Sequence, residues 1–151
     1  KVYGIRVPEQ YVVVTLLHDI GKLLLFCCMP DKYGGIGGGA GHERDIIAKE
    51  RAALCIDHCM MGAYLAHYWS LPLIVQEVCL YHHTFSVCSE PNRRLIALIS
   101  LSDAVAAFVT EEEPLDKVQG ELALLNLSLD DINELNEAHG WACIEGVTCE
   151  L

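Results

Sequence analysis

Six residues of this 151-residue chain are metal-ligand types set in apolar sequence: His18, Asp19, His58, His82, His83 and Asp103. The first two interrupt the run LLHDIGKLL, Leu16 to Leu24, together with Lys22. A carboxylate buried without a partner costs several kcal/mol or more, so inward-facing aspartates among histidines call for a shared cation. Imidazole nitrogen with carboxylate oxygen suits first-row ions such as iron, manganese or zinc, and the set contains no Cys, which argues against a closed structural zinc site. One Asp can also bridge two ions about 3.5 to 4 Å apart, an arrangement that activates water for attack on phosphorus. Taken singly, an inward His is more often a hydrogen-bonded core residue than a ligand, and Asp103 reads also as a residue capping or bonding to a neighbouring helix; the set as a whole points to the metal.

The elements that must position these residues read as helices. Pro8 and Glu9 start a helix that runs to the His-Asp pair, and Gly21 marks a break. A second helix, about Lys22 to Met29, stops at Pro30. The stretch DKYGGIGGGAGH, Asp31 to His42, has six Gly in the eight residues from Gly34 to Gly41 and no G-K-[ST] after it, so it reads as a flexible loop, not a phosphate cradle. Glu43 to Leu54 reads as an exposed polar helix, and Asp57 as the cap of a helix from His58 to Trp69. Further helices are expected over Pro72–His83, Arg93–Val109, Leu115–Leu125 and Leu129–His139, the last opened by Ser128 and Asp131 in a capping box and stopped by Gly140.

Helical period puts His18 on the face of Val14, Leu17 and Gly21. It lines His58 up with Met61, Gly62, Leu65 and Trp69, and His82 with Val75, Val78 and Cys79. In the next helix Asp103 joins the stripe Leu95, Leu98, Ile99, Ser102 and Ala106. Four helices therefore each aim a titratable residue at a common core. His42, His67 and His139 fit no such stripe and read as surface or loop histidines. The expected fold is all-α, an irregular bundle of seven or eight short helices forming a single domain over residues 1–151, with only the tail 141–151 able to supply a strand.

Composition limits the function. Half of the chain is hydrophobic, which is ample for a core, yet the longest apolar runs are too short to cross a bilayer. No membrane span or signal peptide is expected, and a cytoplasmic protein is the simplest reading. The eight Cys form no CxxC and lie mostly in apolar helical stretches, as reduced core thiols do. The net charge is −11, and residues 111–151 hold eleven acids and one base, Lys117, so the acidic C-terminal helices over 111–140 carry most of it. Such a surface disfavours phosphate backbones, and no direct nucleic-acid binding is expected.

Three blocks of the sequence together resemble the HD superfamily of metal-dependent phosphohydrolases, and within it the HDOD domains most. They are LLHDIGKLLL at 16–25, the segment from Glu50 to His83 with its DHxxxGAYL, WxLP and YHH, and LIALISLSDAVA at 95–106. By similarity to the related HD-GYP enzymes, His18 and Asp19 are implied as signature ligands with Asp19 bridging. Asp103 is implied to complete a first metal and His58, His82 and His83 to hold a second. Lys22 is implied to lie near a substrate phosphate, a role for which its point charge is suited.

Two departures shape the expectation. The family's upstream ligand and the helices before the His-Asp pair have no counterpart here, so a truncated or divergent domain is expected, with a homodimer or a partner protein covering the apolar face those helices would leave. The loop after His83 lacks the GYP signature, so cyclic-di-GMP hydrolysis is not implied. Three functions remain open from sequence: a signalling or regulatory HDOD domain, an active phosphohydrolase acting on a nucleotide or phosphate ester, and a plain helical interaction module.

Overall fold

A computed structural model of the chain describes residues 9–37, 43–88, 90–111, 115 and 118–139. Among these the regular elements are all helical, as expected: α1 (Glu9–Leu17), α2 (Ile20–Cys28), α3 (Pro30–Gly37), α4 (Glu43–Leu54), α5 (His58–Tyr68), α6 (Leu73–Tyr81), a 3-10 turn (Phe85–Val87), α7 (Glu90–Glu111), α8 (Gln119–Leu125) and α9 (Leu129–His139). The tail that was open to a strand, and Gly140, lie outside the described residues. The chain gathers into two compact units, residues 1–96 and 97–151.

In the first unit α5 packs against both α2 and α6, α1 against α6, and α3 against α2 and α4. One core cluster is built on Leu25, Tyr33 and Ile36, with Met29, Ile46, Leu54, Ile56 and Met61 around it. Tyr33 and Ile36 belong to the glycine-rich stretch expected to be a loop. Pro30 opens a helix there instead, because Pro is tolerated in a first turn, and the i, i+3 spacing of Tyr33 and Ile36 turns both onto the core.

The crossing of α2 and α5 is unusually close. A Cβ on Gly21 would overlap the His58 carbonyl oxygen and lie 2.7 Å from the backbone nitrogen of Gly62, and a Cβ on Gly62 would lie 3.3 Å from Gly21 N. Gly21 thus marks a helix contact, not the break, which falls at the His18–Asp19 turn just before it. That turn also interrupts the stretch Tyr11–Cys28, which by length and a mean hydropathy of 1.7 is apolar enough to cross a membrane. It leaves α1 and α2 as nine-residue helices, each about 14 Å long, roughly half of a bilayer core.

Period was a good guide on α6, where Val75, Val78 and Cys79 are buried with His82 at its C-cap, as expected. It was a poorer one elsewhere. On α5 the buried line is His58, Cys59, Gly62 and Ala66, whereas Trp69 is 55 % exposed. Trp69 is the C-cap, past the last turn, and the chain leaves the helix line through Ser70 at φ 55°. On α7 the residues buried are Ile96, Ala97, Ile99, Ser100 and Leu101, while Leu98, Ser102 and Ala106 are exposed, so the expected stripe was out of register. The thiols also divide: Cys59, Cys79 and Cys88 are buried, but Cys27, Cys28 and Cys55 are exposed, since α2 buries only the face of Gly21 and Leu25.

The second unit has its own core of Leu101, Val118, Leu122 and Ile132, lined by Ala104, Val105, Leu115, Leu125 and Leu127. The expected capping box opens α9: Ser128 N–H donates to Asp131 Oδ2 at 2.9 Å and Asp131 N–H donates to Ser128 Oγ at 3.2 Å. α8 ends on Asn126 in the left-handed region at φ 58°, a conformation Asn tolerates better than most residues.

Candidate metal centre

The start of α2, the first turn of α5 and the end of α6 meet at one point in the first unit. Asp57 positions the middle element. It is buried, accepts from Met60 N–H at 2.8 Å as the expected N-cap, and takes a second hydrogen bond from Arg51 Nε at 2.6 Å. His58 then follows as the first residue of α5, fully buried.

Three of the histidines are tied at Nδ1 and turned inward at Nε2. His58 Nδ1–H donates to Glu50 Oε2 at 2.7 Å, and His82 Nδ1–H is shared between the carbonyl oxygens of Val78 and Cys79, both at 3.0 Å. His18 Nδ1 bonds the Thr15 carbonyl one turn back. In a neutral ring these bonds fix the tautomer and leave Nε2 as a lone pair, the way histidine is presented to a metal.

Those lone pairs converge on Asp19. Its Oδ1 lies 3.6 Å from His58 Nε2 and 3.5 Å from His82 Nε2, and its Oδ2 lies 3.5 Å from His18 Nε2. His83 Nε2 faces His58 Nε2 at 3.2 Å. Asp19 Oδ1 and His82 Nε2 are buried and make no hydrogen bond among the described residues. A buried carboxylate oxygen and a buried ring nitrogen that face each other without a hydrogen bond are poorly satisfied as a purely polar core. Ligand atoms on one tetrahedral ion stand about 3.3 Å apart, which matches these separations, so the donor set fits a divalent cation.

The electrostatics agree. Burial and the neighbouring His82 and His58 rings push the His83 imidazole down to about 2, so it stands neutral and ready to ligate. Burial would raise the Asp19 carboxyl, but its contact with His82 and the Lys22 charge outweigh that and hold it well below the usual range. Lys22 Nζ donates to Asp19 Oδ2 at 2.6 Å.

Of the residues expected from sequence, His18, Asp19, Lys22, His58, His82 and His83 come together in this unit, and Asp103 belongs to the second. His67 is exposed, as expected; His42 and the side chain of His139 lie outside the described residues.

Three further residues escaped the sequence reading. Glu50 sits in a helix expected to be exposed, yet it is fully buried, and besides His58 Nδ1 it accepts from His58 N–H at 2.9 Å and from Tyr33 OH at 2.9 Å. Its place at the head of the resembling segment was the available signal for it. Tyr33 carried none, being in a glycine-rich stretch. Cys59, expected to stay outside the ligand set, is buried with Sγ 3.4 Å from His58 Nε2. Its Sγ and nitrogens of His58, His82 and His83 all lie within 4.8 Å of one another, so these four residues are placed to hold a metal ion. The reason is local: the first turn of α5 is enclosed on more than one side and buries adjacent residues.

No curated protein and no solved structure matches the chain. A family model, that of the HDOD domain, matches residues 1–85, a span that takes in α1 to α6 and every residue of the centre just described. With more than half of the sequence covered by that model and the His-Asp turn folded against the paired histidines of α6, the chain belongs to the HDOD domain family.

Proposed function

We propose that this HDOD domain serves a signalling or regulatory role and holds a divalent metal ion of the first transition row between α2, α5 and α6. The observation that carries the metal part is the convergence of Asp19 Oδ1 with the Nε2 atoms of His58 and His82, two of them buried atoms without a hydrogen bond among the described residues. Asp19, His58, His82 and His83 are the ligands of this reading. His18 and Asp103 are added from the family resemblance as ligands of a second position. The regulatory part is supported by the resemblance to HDOD domains and by the apolar side chains that α1 and α2 expose, among them Val12, Leu16, Leu23 and Phe26, which suit a protein partner or a second copy of the chain.

A second reading, hydrolysis of a nucleotide or phosphate ester, draws support from Lys22, whose ammonium is held beside Asp19. A bound ion would supply Lewis acidity and a nucleophilic water there. On this reading Lys22 releases Asp19 to bind a phosphate oxygen, while Glu50 and the α6 carbonyls keep His58 and His82 from turning.

Metal analysis of the purified protein tests the shared premise. About one divalent ion per chain is expected, and its loss in the His82→Ala, His83→Ala double variant. Finding no transition metal in either protein, even after reconstitution, overturns both readings. Turnover of phosphodiester or nucleotide substrates with Mn²⁺, above the level of Asp19→Ala, would replace the regulatory reading with the catalytic one.

A further inference from the structure

We propose that Cys59 supplies a thiolate sulfur to the ion held by Asp19, His58, His82 and His83, giving this centre a sulfur ligand beside its nitrogens and oxygen and making it selective for zinc, cobalt(II) or iron(II) over manganese and magnesium. The proposal rests on the metal reading above and adds to it a ligand of different chemistry. Three observations carry it. Cys59 is buried on the inner side of the first turn of α5, with Sγ 3.4 Å from His58 Nε2 and within 4.8 Å of ligand nitrogens of His82 and His83. His82 Nε2, in a fully buried ring, points into the same space with no hydrogen bond among the described residues. The other buried thiols among the described residues are engaged elsewhere: Cys79 Sγ–H donates to the Leu17 carbonyl at 3.3 Å and Cys88 Sγ–H to the Phe85 carbonyl at 2.9 Å.

The chemistry follows from the ligand type. Carboxylate and imidazole alone admit manganese and iron as readily as zinc, whereas a thiolate favours the softer ions. On binding, the Cys59 S–H bond breaks, a metal–sulfur bond forms, and the proton leaves to solvent, so uptake of these ions carries a proton release that uptake of a nitrogen and oxygen site lacks.

Cobalt(II) titration of the metal-free protein tests this without reference to activity. Wild type is expected to give visible d–d absorption together with a sulfur-to-cobalt charge-transfer band in the near ultraviolet. Cys59→Ser should keep the d–d absorption, lose the charge-transfer band and bind Zn²⁺ at least about tenfold more weakly, the scale already set by losing an orienting partner of a ligand. Cys79→Ser should keep both bands. X-ray absorption of zinc-loaded wild type, which needs no variant, should show a zinc–sulfur distance of about 2.3 Å. Cobalt bound with d–d absorption but no charge-transfer band, a band that survives in Cys59→Ser, or a zinc shell of nitrogen and oxygen only overturns the Cys59 assignment and leaves the metal reading intact. Absence of any bound cobalt overturns both.

Discussion

Glu50 Oε2 accepts two hydrogen bonds from one residue, His58: 2.7 Å from the ring Nδ1–H and 2.9 Å from the backbone N–H. The carboxylate, fully buried, thus sets both the start of α5 and the direction of the His58 ring, and Tyr33 OH holds its other oxygen. A carboxylate behind a ligating His fixes its tautomer and raises its basicity. Glu50→Gln should therefore weaken metal binding by about 10- to 100-fold with the fold retained. Glu50→Ala removes the acceptor of both His58 donors, the ring Nδ1–H and the backbone N–H, and should cost roughly 3 kcal/mol of stability in addition. Competition titration with a chelator and denaturant unfolding separate the two effects. Equal metal affinity in Glu50→Gln and wild type would show that the pair serves folding alone.

The closeness of Gly21 to His58 makes a second prediction. Because a Cβ at position 21 meets backbone atoms and not a flexible side-chain tip, α2 and α5 must move apart to admit it. Gly21→Ala should destabilise the protein by about 3 kcal/mol, beyond the ordinary helix preference for Ala, which runs the other way. It should also lower metal affinity, since Asp19 and His58 sit on either side of that crossing. A thermal midpoint at or above wild type would contradict the close packing.

What could be read in the sequence was what depends on neighbours in the chain. The Val75, Val78, Cys79 and His82 stripe and the Ser128–Asp131 box are local patterns, and both appear as expected. Glu50 is different. Among Glu43, Arg44, Asp45, Lys49 and Arg51 it has the appearance of one more solvated charge, and only contacts from 8 and 17 residues away bury it. Cys59 fell one step off the inward line drawn through His58, a line that assumes one buried face. Trp69 was placed inward by extending the helical period through a residue where the helix has ended. In each case tertiary enclosure, or the end of an element, overrode a periodicity that was itself sound.

Acid should unfold the metal-free protein in two stages. His83 is held well below its unfolded value of 6.5, so between pH 6.5 and its folded value the unfolded chain binds the extra proton. Stability is then complete above pH 6.5 and falls as pH drops below it. Asp19 and Glu50 are also depressed, from 3.8 and 4.5, and their contribution is complete above those values and is lost as pH falls from them through the lower folded values. Urea midpoints of chelator-treated protein should decline from pH 7 to pH 5, and His83→Asn should remove that first decline while leaving the one below about pH 4.5. A flat profile from pH 7 to 5 in wild type would mean that His83 is freely protonated in the fold.

Asp57 offers a test of how the α5 terminus supports the site. Its two oxygens divide the work, Oδ1 accepting from Met60 N–H and Oδ2 from the largely exposed Arg51. Arg51→Ala should cost under about 1 kcal/mol, because solvent screens the exposed partner. Asp57→Asn retains an acceptor for the cap and should be intermediate, whereas Asp57→Ala should cost about 2 kcal/mol through the lost cap. Chemical denaturation of the three variants checks the order, and a larger loss in Arg51→Ala than in Asp57→Ala would reverse the roles assigned here.

The exposed side of α1 and α2 leads to the last prediction. Leu16 is 76 % exposed, Leu23 63 % and Phe26 54 %, and Val12 and Val13 add to the same two short helices. Leaving such side chains in water forgoes roughly 1.5 to 3 kcal/mol apiece relative to burial, a strong incentive for association. With a second copy of the chain as the occupant of this face, one of the two expected from sequence, sedimentation equilibrium of purified protein should give twice the mass of 16.7 kDa, and Leu16→Glu combined with Phe26→Glu should return it to a monomer. Both substitutions lie on the outer faces of their helices, so metal content per chain should be unchanged in the double variant. A wild-type protein that stays monomeric at high concentration would assign the face to a different protein, and loss of metal on forming the monomer would mean that the centre depends on the second copy.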